Sequence, residues 1–390
     1  MSPLAVQFGA GAIGRGFLAD LFASSGFGVV FVDVDASLVR AINEQAAYTI
    51  RTVGPRPAAT RISQVRAAML SDRESVTEAI SAASIVGTAV GAMGLGAVGA
   101  ALAAGLRRRD EVGAPPLNVL VAENLPAAPA VLAAAVRDSL PEDCRDDVLR
   151  RTGFVHTVVS RMVPARTADE IESGTLDVRV EAYRSLPVDA AAVVPPFPKI
   201  AGVELSDNFA AFVARKLFTH NCAHAVLGYT GAAAGFTLAS EAIADSRIRA
   251  LVGAVMFETG EALIRRFGFD RTEQRRHEED LLGRFANAAL GDTCLRLARD
   301  PLRKLHSSDR LVGAARLCEA MSIEPRAVAW GIAAALQYAE PSDDMALELQ
   351  DRIAVGGVNS VLREVCGILP GEKLHALIIE ALQVTRGGAI

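Results

Sequence analysis

Four short apolar runs punctuate the first third of the chain: LAVQF at 4–8, GVVFV at 28–32, SIVGTAV at 84–90 and LNVLVA at 117–122. Each is rich in Val, Leu or Ile at consecutive positions, the pattern of a strand covered on both faces. Between them, stretches such as FLADLFASSG and ASLVRAINEQA carry the spacing of helices. Strands alternating with helices imply βαβ units and a parallel, doubly wound sheet. From about residue 205 onward the strand signal fades into long segments of Ala, Leu, Arg and Glu with helical character. The Pro-rich stretch VVPPFPKI at 193–200 separates the two regimes. The predicted architecture is therefore α/β, with an N-terminal Rossmann-type doubly wound sheet over 1–195 and a mostly α-helical C-terminal domain over 196–390.

Composition narrows the functional classes. With 390 residues, 51% of them hydrophobic and 22% charged, the chain can bury large cores. A net charge of -5 leaves no electrostatic footprint for nucleic acid, and the clusters RRR at 107–109 and RR at 275–276 read as solvated helix ends. Five widely spaced cysteines without a CxxC pair suggest neither a disulfide framework nor a zinc site, which fits a reducing, cytoplasmic location. Residues 85–106 are free of charge over a length able to cross a bilayer. Their apolar content is mostly Ala and Gly, however, and the same composition suits a buried strand followed by a tightly packed helix. No membrane partner and no signal peptide are expected, and the pattern leaves the oligomeric state open.

The first chemical motif, FGAGAIGRGF, follows the first strand, and Gly9, Gly11 and Gly14 satisfy GxGxxG. Such glycines permit a tight turn and close backbone approach, so that a pyrophosphate can rest on the N-terminus of the following helix. Asp33 closes the second strand where a carboxylate accepts hydrogen bonds from the adenosine ribose, which favours NAD over NADP. The expected cofactor-binding set is Gly9, Gly11, Ala12, Ile13, Gly14, Asp33, Val90 and Glu123. A second match, Gly94, Gly96 and Gly99, follows another apolar run, and close packing of a helix on the sheet accounts for it.

The segment RKLFTHNCAH at 215–224 gathers Lys216, Asn221 and His224 in apolar surroundings. Oxidation of an alcohol by hydride transfer also needs a base, and no Cys/His cluster at metal-ligand spacing is present, so no metal is expected. A lysine serves if its pKa falls from about 10.4 to roughly 7–8 through burial and cationic neighbours. Asn221 and His224, three apart, share a helix face, but on a strict α-helix at about 100° per residue Lys216 lies about 140° from Asn221 and about 80° from His224. The alternative is a surface lysine, a capping asparagine and a core histidine.

FGAGAIGRGF, KLFTHNCAH and the tract GRFANAALGDTCLRLARDPLRKLHSSDRL at 283–311 together resemble the polyol-specific long-chain dehydrogenases. The likeness runs over nearly the whole chain, including VAENLP, DNFAAFVARKLF and the FGFD stretch at 267–270. It implies metal-independent, NAD(H)-linked interconversion of a ketose or ketose phosphate and its polyol. Residue by residue, it implies Lys216 as general acid/base, Asn221 and His224 as groups that hold the reacting oxygen, and Asn124 as a positioning residue. Arg296 and Lys304 fall where the family places substrate-binding cations. Arg303 adds a guanidinium suited to a phosphate, although all three also fit a basic helix face.

Departures from the family pattern concern the substrate. Ser160 precedes Arg161 where an Asp is usual, Leu186 stands near the place of a tryptophan, Tyr183 and Arg184 are unfamiliar, and ENLPAAPA lacks the arginine or second asparagine that relatives often carry. Three readings follow. The first is a dehydrogenase of a sugar phosphate such as fructose 6-phosphate/mannitol 1-phosphate. The second keeps the chemistry on an unphosphorylated polyol or uronate, or on a specialised sugar or nucleotide-linked metabolite. The third is a catalytically silent NAD-binding protein.

Overall fold

The computed structural model describes residues 2–164 and 166–386, which divide into two compact units, Met1–Phe209 and Ala210–Ile390. The boundary lies beyond the Pro-rich segment at which the sequence pattern places it. The reason is a late strand pair, β10 (Leu186–Asp189) with β11 (Val203–Ser206), which keeps the chain in the first unit past residue 200.

A six-stranded parallel sheet forms the centre of the first unit. In chain order its strands are β1 (Leu4–Phe8), β2 (Gly28–Asp33), β5 (Val65–Met69), β6 (Ile85–Thr88), β7 (Leu117–Val121) and β8 (Thr152–His156). They lie side by side as β5-β2-β1-β6-β7-β8, the doubly wound order in which the topology reverses between β1 and β6. Alternate residues feed two cores: Ala5, Val29, Phe31, Ile85 and Val155 face one, while Val6, Phe8, Val30, Val32, Val86 and Val119 face the other. Burial on both faces explains why these strands read as unbroken apolar runs. A second, three-stranded sheet joins β3 (Ala47–Thr52), β4 (Ala58–Ser63) and β9 (Val178–Val180). Its strands alternate polar and apolar residues, with Tyr48 and Ile50 buried and Arg51 exposed. The four predicted strands are the four inner ones of the large sheet.

The charge-free segment at 85–106 resolves into β6, a short turn and the first part of the helix Leu95–Glu111. Among the described residues no helix is long and apolar enough to cross a membrane. A Cβ at Gly99 would meet the side chain of Ala135 and the backbone of Val136, and one at Gly105 would meet Ile80. Close helix packing therefore accounts for Gly99 of the second glycine run, whereas Gly96 faces open space.

The second unit is helical. Its longest members are Ser246–Phe267, Asp344–Glu364, Arg271–Phe285, Lys373–Arg386 and Cys222–Ala233. At its centre the helix Cys222–Ala233 is buried on nearly every side; of residues 222–231 only His224 retains partial exposure. Small residues admit its neighbours: a Cβ at Gly228 would lie 2.6 Å from Leu297, and one at Gly331 would fall on Val226. All five cysteines are free.

The packing account predicts opposite signs for two glycines of one helix. Gly99→Val should lower stability in urea denaturation by about 1–3 kcal/mol, since no space exists for the added methyls. Gly96→Ala, which faces open space, should raise it by up to about 0.5–1 kcal/mol.

Candidate active site

In the first unit the expected cofactor residues lie at the C-terminal ends of β1, β2, β6 and β7, around two adjacent loops. Gly9 has φ +85°, and a Cβ there would fall on the Ala89 carbonyl oxygen. A Cβ at Gly14 would fall on the Gly9 carbonyl oxygen, whereas Gly11 and Ala12 face open space. The loop is thus closed behind by its own packing and open in front, with backbone accessible to a ligand. Asp33 fixes its position: Oδ2 accepts a hydrogen bond from the Ala10 N–H (2.6 Å), and Oδ1 accepts from Val34 and Asp35 (2.7 and 3.0 Å). Ile13 packs on the core. Glu123 grips the adjacent loop, accepting from the N–H groups of Val90 and Gly91 at 2.8 Å each. Its carboxylate therefore holds the Val90 turn in place. Asn124 follows it, exposed at the C-terminal end of β7. Val34, next to Asp33, lines a cavity of about 690 Å³ whose walls mix apolar Leu70, Val76 and Ala101 with polar Ser71, Arg73 and Thr77.

The departures near residue 160 also have a structural account. Arg161 is buried and donates to Asp20 Oδ2 at 2.7 Å, to the Gly16 carbonyl at 3.0 Å and to the Glu181 carbonyl at 2.9 Å. Asp20 thus balances the guanidinium that lacks a neighbouring carboxylate at Ser160. Arg184, one of the unfamiliar residues, donates to the same Asp20 (3.1 Å) and to Ser24 (2.6 Å). Leu186 is fully buried in the core of the first unit. Arg161, Arg184 and Leu186 are thus tied into the charge balance and core of that unit.

In the second unit the helix Phe209–Arg215 continues through Lys216–Asn221 into Cys222–Ala233, and the middle segment is wound with i→i+5 hydrogen bonds. This wider turn reduces the angular conflict of a strict α-helix, because with more residues in each turn a pair five apart comes nearer to one face. Lys216 and Asn221 are such a pair, and His224 follows one α-turn later. Burial, reinforced by the positive charge of Arg310, lowers the Lys216 ammonium to about 8.

His224 lies flat against Phe285, with centroids 4.8 Å apart and ring planes 10° from parallel. Its Nε2 stands 3.7 Å from Asp292 Oδ2. Burial lowers its pKa although Asp292 opposes the change, so the imidazole is neutral near pH 7. His220, edge-on to His224 at 5.7 Å, is buried and held well below the usual histidine value by burial and by Arg284.

Asn221 and His224 open onto a cavity of about 540 Å³ whose other walls include Arg296, Arg299, Arg303, Lys304 and Arg310. The three cations expected to bind substrate thus meet two of the catalytic candidates in one chamber. Lys304 is buried; its ammonium donates to the Leu297 carbonyl and faces the Tyr229 ring at 5.4 Å, and burial together with Arg310 and Arg303 lowers it to about 7. Among the described residues no three His, Cys, Asp or Glu side chains gather as a metal site.

Residues 3–202 match the mannitol dehydrogenase Rossmann domain, and residues 208–379 match the mannitol dehydrogenase C-terminal domain. The chain belongs to the mannitol dehydrogenase family. It is 37% identical over 380 residues to mannitol-1-phosphate 5-dehydrogenase of Bacillus velezensis, covering 97% of this chain and 99% of that protein. The protein of the same name from Bacillus subtilis strain 168 is equally similar, at 37% over 380 residues. Among solved structures, a D-sorbitol dehydrogenase in substrate-free form superposes with TM-score 0.81 at 18% identity, covering 100% of this chain and 94% of that one. A mannitol 2-dehydrogenase from Pseudomonas fluorescens gives 0.74 at 16% identity, covering 100% and 92%.

Within this mannitol dehydrogenase fold, three charged residues that the sequence pattern did not single out stand at the site: Asp292 beside His224, and Arg299 and Arg310 on the chamber wall. All three lie inside the tract 283–311 that carries the family likeness, but their convergence depends on how its short helices fold back. Arg310→Ala should move Lys216 upward from about 8 towards the ordinary lysine value, because it removes a like charge. The pH dependence of acetylation at Lys216 measures that shift, and an unchanged midpoint would assign the depression to burial alone.

Proposed function

We propose that this chain is an NAD(H)-dependent oxidoreductase that interconverts a ketose phosphate and a polyol phosphate of the fructose 6-phosphate/mannitol 1-phosphate type. The observation that carries the reading is the chamber in which Asn221 and His224 share walls with five cations, the surroundings that an anionic sugar needs. Its support from relatives is the 37% identity to mannitol-1-phosphate 5-dehydrogenases over nearly the full chain.

The loop of the first unit fits a dinucleotide. Gly9, Gly11 and Gly14 leave room for a pyrophosphate at the helix start, and Asp33 stands at the end of β2 for a ribose. Bound there, the nicotinamide supplies or accepts the hydride. The chain's own residues manage the oxygen and the proton. In reduction, a C–H bond forms at the ketose carbonyl carbon and the C=O π pair moves onto oxygen. Asn221 and His224 stabilise the growing negative charge on that oxygen by hydrogen bonding. Protonated Lys216 then gives a proton from Nζ to the oxygen, which leaves an alcohol and a neutral amine, and the amine regains its proton from solvent. Oxidation runs through the same positions in reverse, with the neutral amine removing the hydroxyl proton. Asn124 serves in positioning.

A lysine near pKa 8 is suited to both directions. Reduction needs its protonated form, so its rate should hold below about pH 8 and fall above it; oxidation needs the neutral amine and should fall below about pH 8. Lys216→Ala should lower kcat with fructose 6-phosphate by about 10²- to 10⁴-fold while NADH fluorescence titration reports intact cofactor binding. Near-normal turnover in that variant would overturn the lysine assignment. Parallel initial rates with fructose test the phosphate requirement.

Asp33→Ala should narrow the preference for NAD over NADP, read as the ratio of the two kcat/KM values. It should also weaken NAD itself, since Asp33 anchors the glycine loop through Ala10. A preference that stays at the wild-type level would place the ribose contact elsewhere.

A further inference from the structure

The five cations of the chamber are not equivalent, because aspartates already engage most of them. Arg296 pairs with Asp292. Arg303 donates through Nε to Asp300 at 2.6 Å and has Asp309 3.6 Å from Nη1. Arg310 donates to Asp309 at 2.8 Å. Lys304 is buried, spends one N–H on the Leu297 carbonyl and is only partly charged near neutral pH. Asp343, also on the wall, accepts from the Asp300 N–H at 2.8 Å and begins the helix Asp344–Glu364.

Arg299 is the exception. Among the described residues its side chain makes no ion pair and no hydrogen bond, and it is exposed. It occupies the bend between the short helices Cys294–Ala298 and Pro301–Leu305, with Arg296 on one side and Arg303 on the other. A guanidinium already bonded to a carboxylate must give up or share that partner to bind an anion, whereas an unpaired one need only shed water.

We infer that Arg299 is the principal phosphate-binding residue of the chamber, a reader of phosphate monoesters that separates phosphorylated from unphosphorylated sugars. This deepens the sugar-phosphate reading above and rests on it. Arg303 and Arg310, held by Asp300 and Asp309, supply background field and shape rather than the decisive contact. Lys304 lies on the same wall and gains charge when an anion arrives, which adds to the binding of a dianion.

The test compares the ratio of kcat/KM for fructose 6-phosphate to that for fructose in wild type, Arg299→Ala, Arg299→Lys and Arg303→Ala. The expected result is a fall of about 10- to 100-fold for Arg299→Ala, carried by KM, with partial recovery in Arg299→Lys and a smaller fall in Arg303→Ala. A ratio unchanged in Arg299→Ala, or a larger loss in Arg303→Ala, would overturn the inference. Failure of the underlying reading looks different: wild type would then show no preference for the phosphorylated sugar. In that event, calorimetric titration with inorganic phosphate decides the role of Arg299 without turnover. Weaker phosphate binding in Arg299→Ala supports the inference, and equal binding in both proteins overturns it.

Discussion

The second unit is organised around a helix that has almost no freedom to move. Cys222–Ala233 is enclosed by Ser246–Phe267, Arg326–Leu336 and the short helix Cys294–Ala298, with glycines where the approach is closest. A helix buried all round must keep its backbone hydrogen bonds complete, because no water is available to replace a lost one. The i→i+5 segment Lys216–Asn221 respects that demand and still changes the angular order of the side chains. It brings a lysine and an asparagine five residues apart nearer to one face, with the histidine three residues beyond. The relative position of the three polar groups therefore rests on a backbone held by packing.

The same burial tunes the chemistry. Desolvation and the nearby Arg310 lower Lys216 to about 8, and burial keeps His224 neutral in spite of Asp292. Charges are matched in both units: the buried Arg161 with Asp20 in the first, and the exposed Arg303 and half-buried Arg310 with Asp300 and Asp309 in the second. Pairing of this kind limits the cost of gathering cations in one chamber. It also reduces how much each contributes to holding an added anion, which is why the unpaired Arg299 stands apart.

Several features could be read directly from the chain because their causes are local. Strands covered on both faces leave unbroken apolar runs, so β1, β2, β6 and β7 were evident, and the turn Gly9–Gly14 with Asp33 followed from spacing along one βαβ unit. The edge strands β5 and β8 were not evident. VRAAM is partly exposed and carries Arg66, while TGFVH begins with Thr and Gly, so neither forms the run that a central strand does. The small sheets were hidden for a similar reason, since their pairing joins segments as distant as Ile50 and Val178.

By itself the sequence determined the fold class, the glycine turn after β1, the grouping of a lysine, an asparagine and a histidine at 216–224, and a basic tract at 296–304. Tertiary structure decided which of those groups meet. It set the i→i+5 turn that brings Lys216 and Asn221 nearer to one face, the Asp20 partner of Arg161, the use of Glu123 to hold the Val90 turn, and the folding back of two short helices that carries Arg299 and Arg310 to the wall beside His224. Periodicity and motif spacing report what happens within a turn or a strand, over a few residues. Pairing of charges and the closing of a cavity depend on side chains that packing brings together from far apart in the chain, and no local pattern encodes that distance.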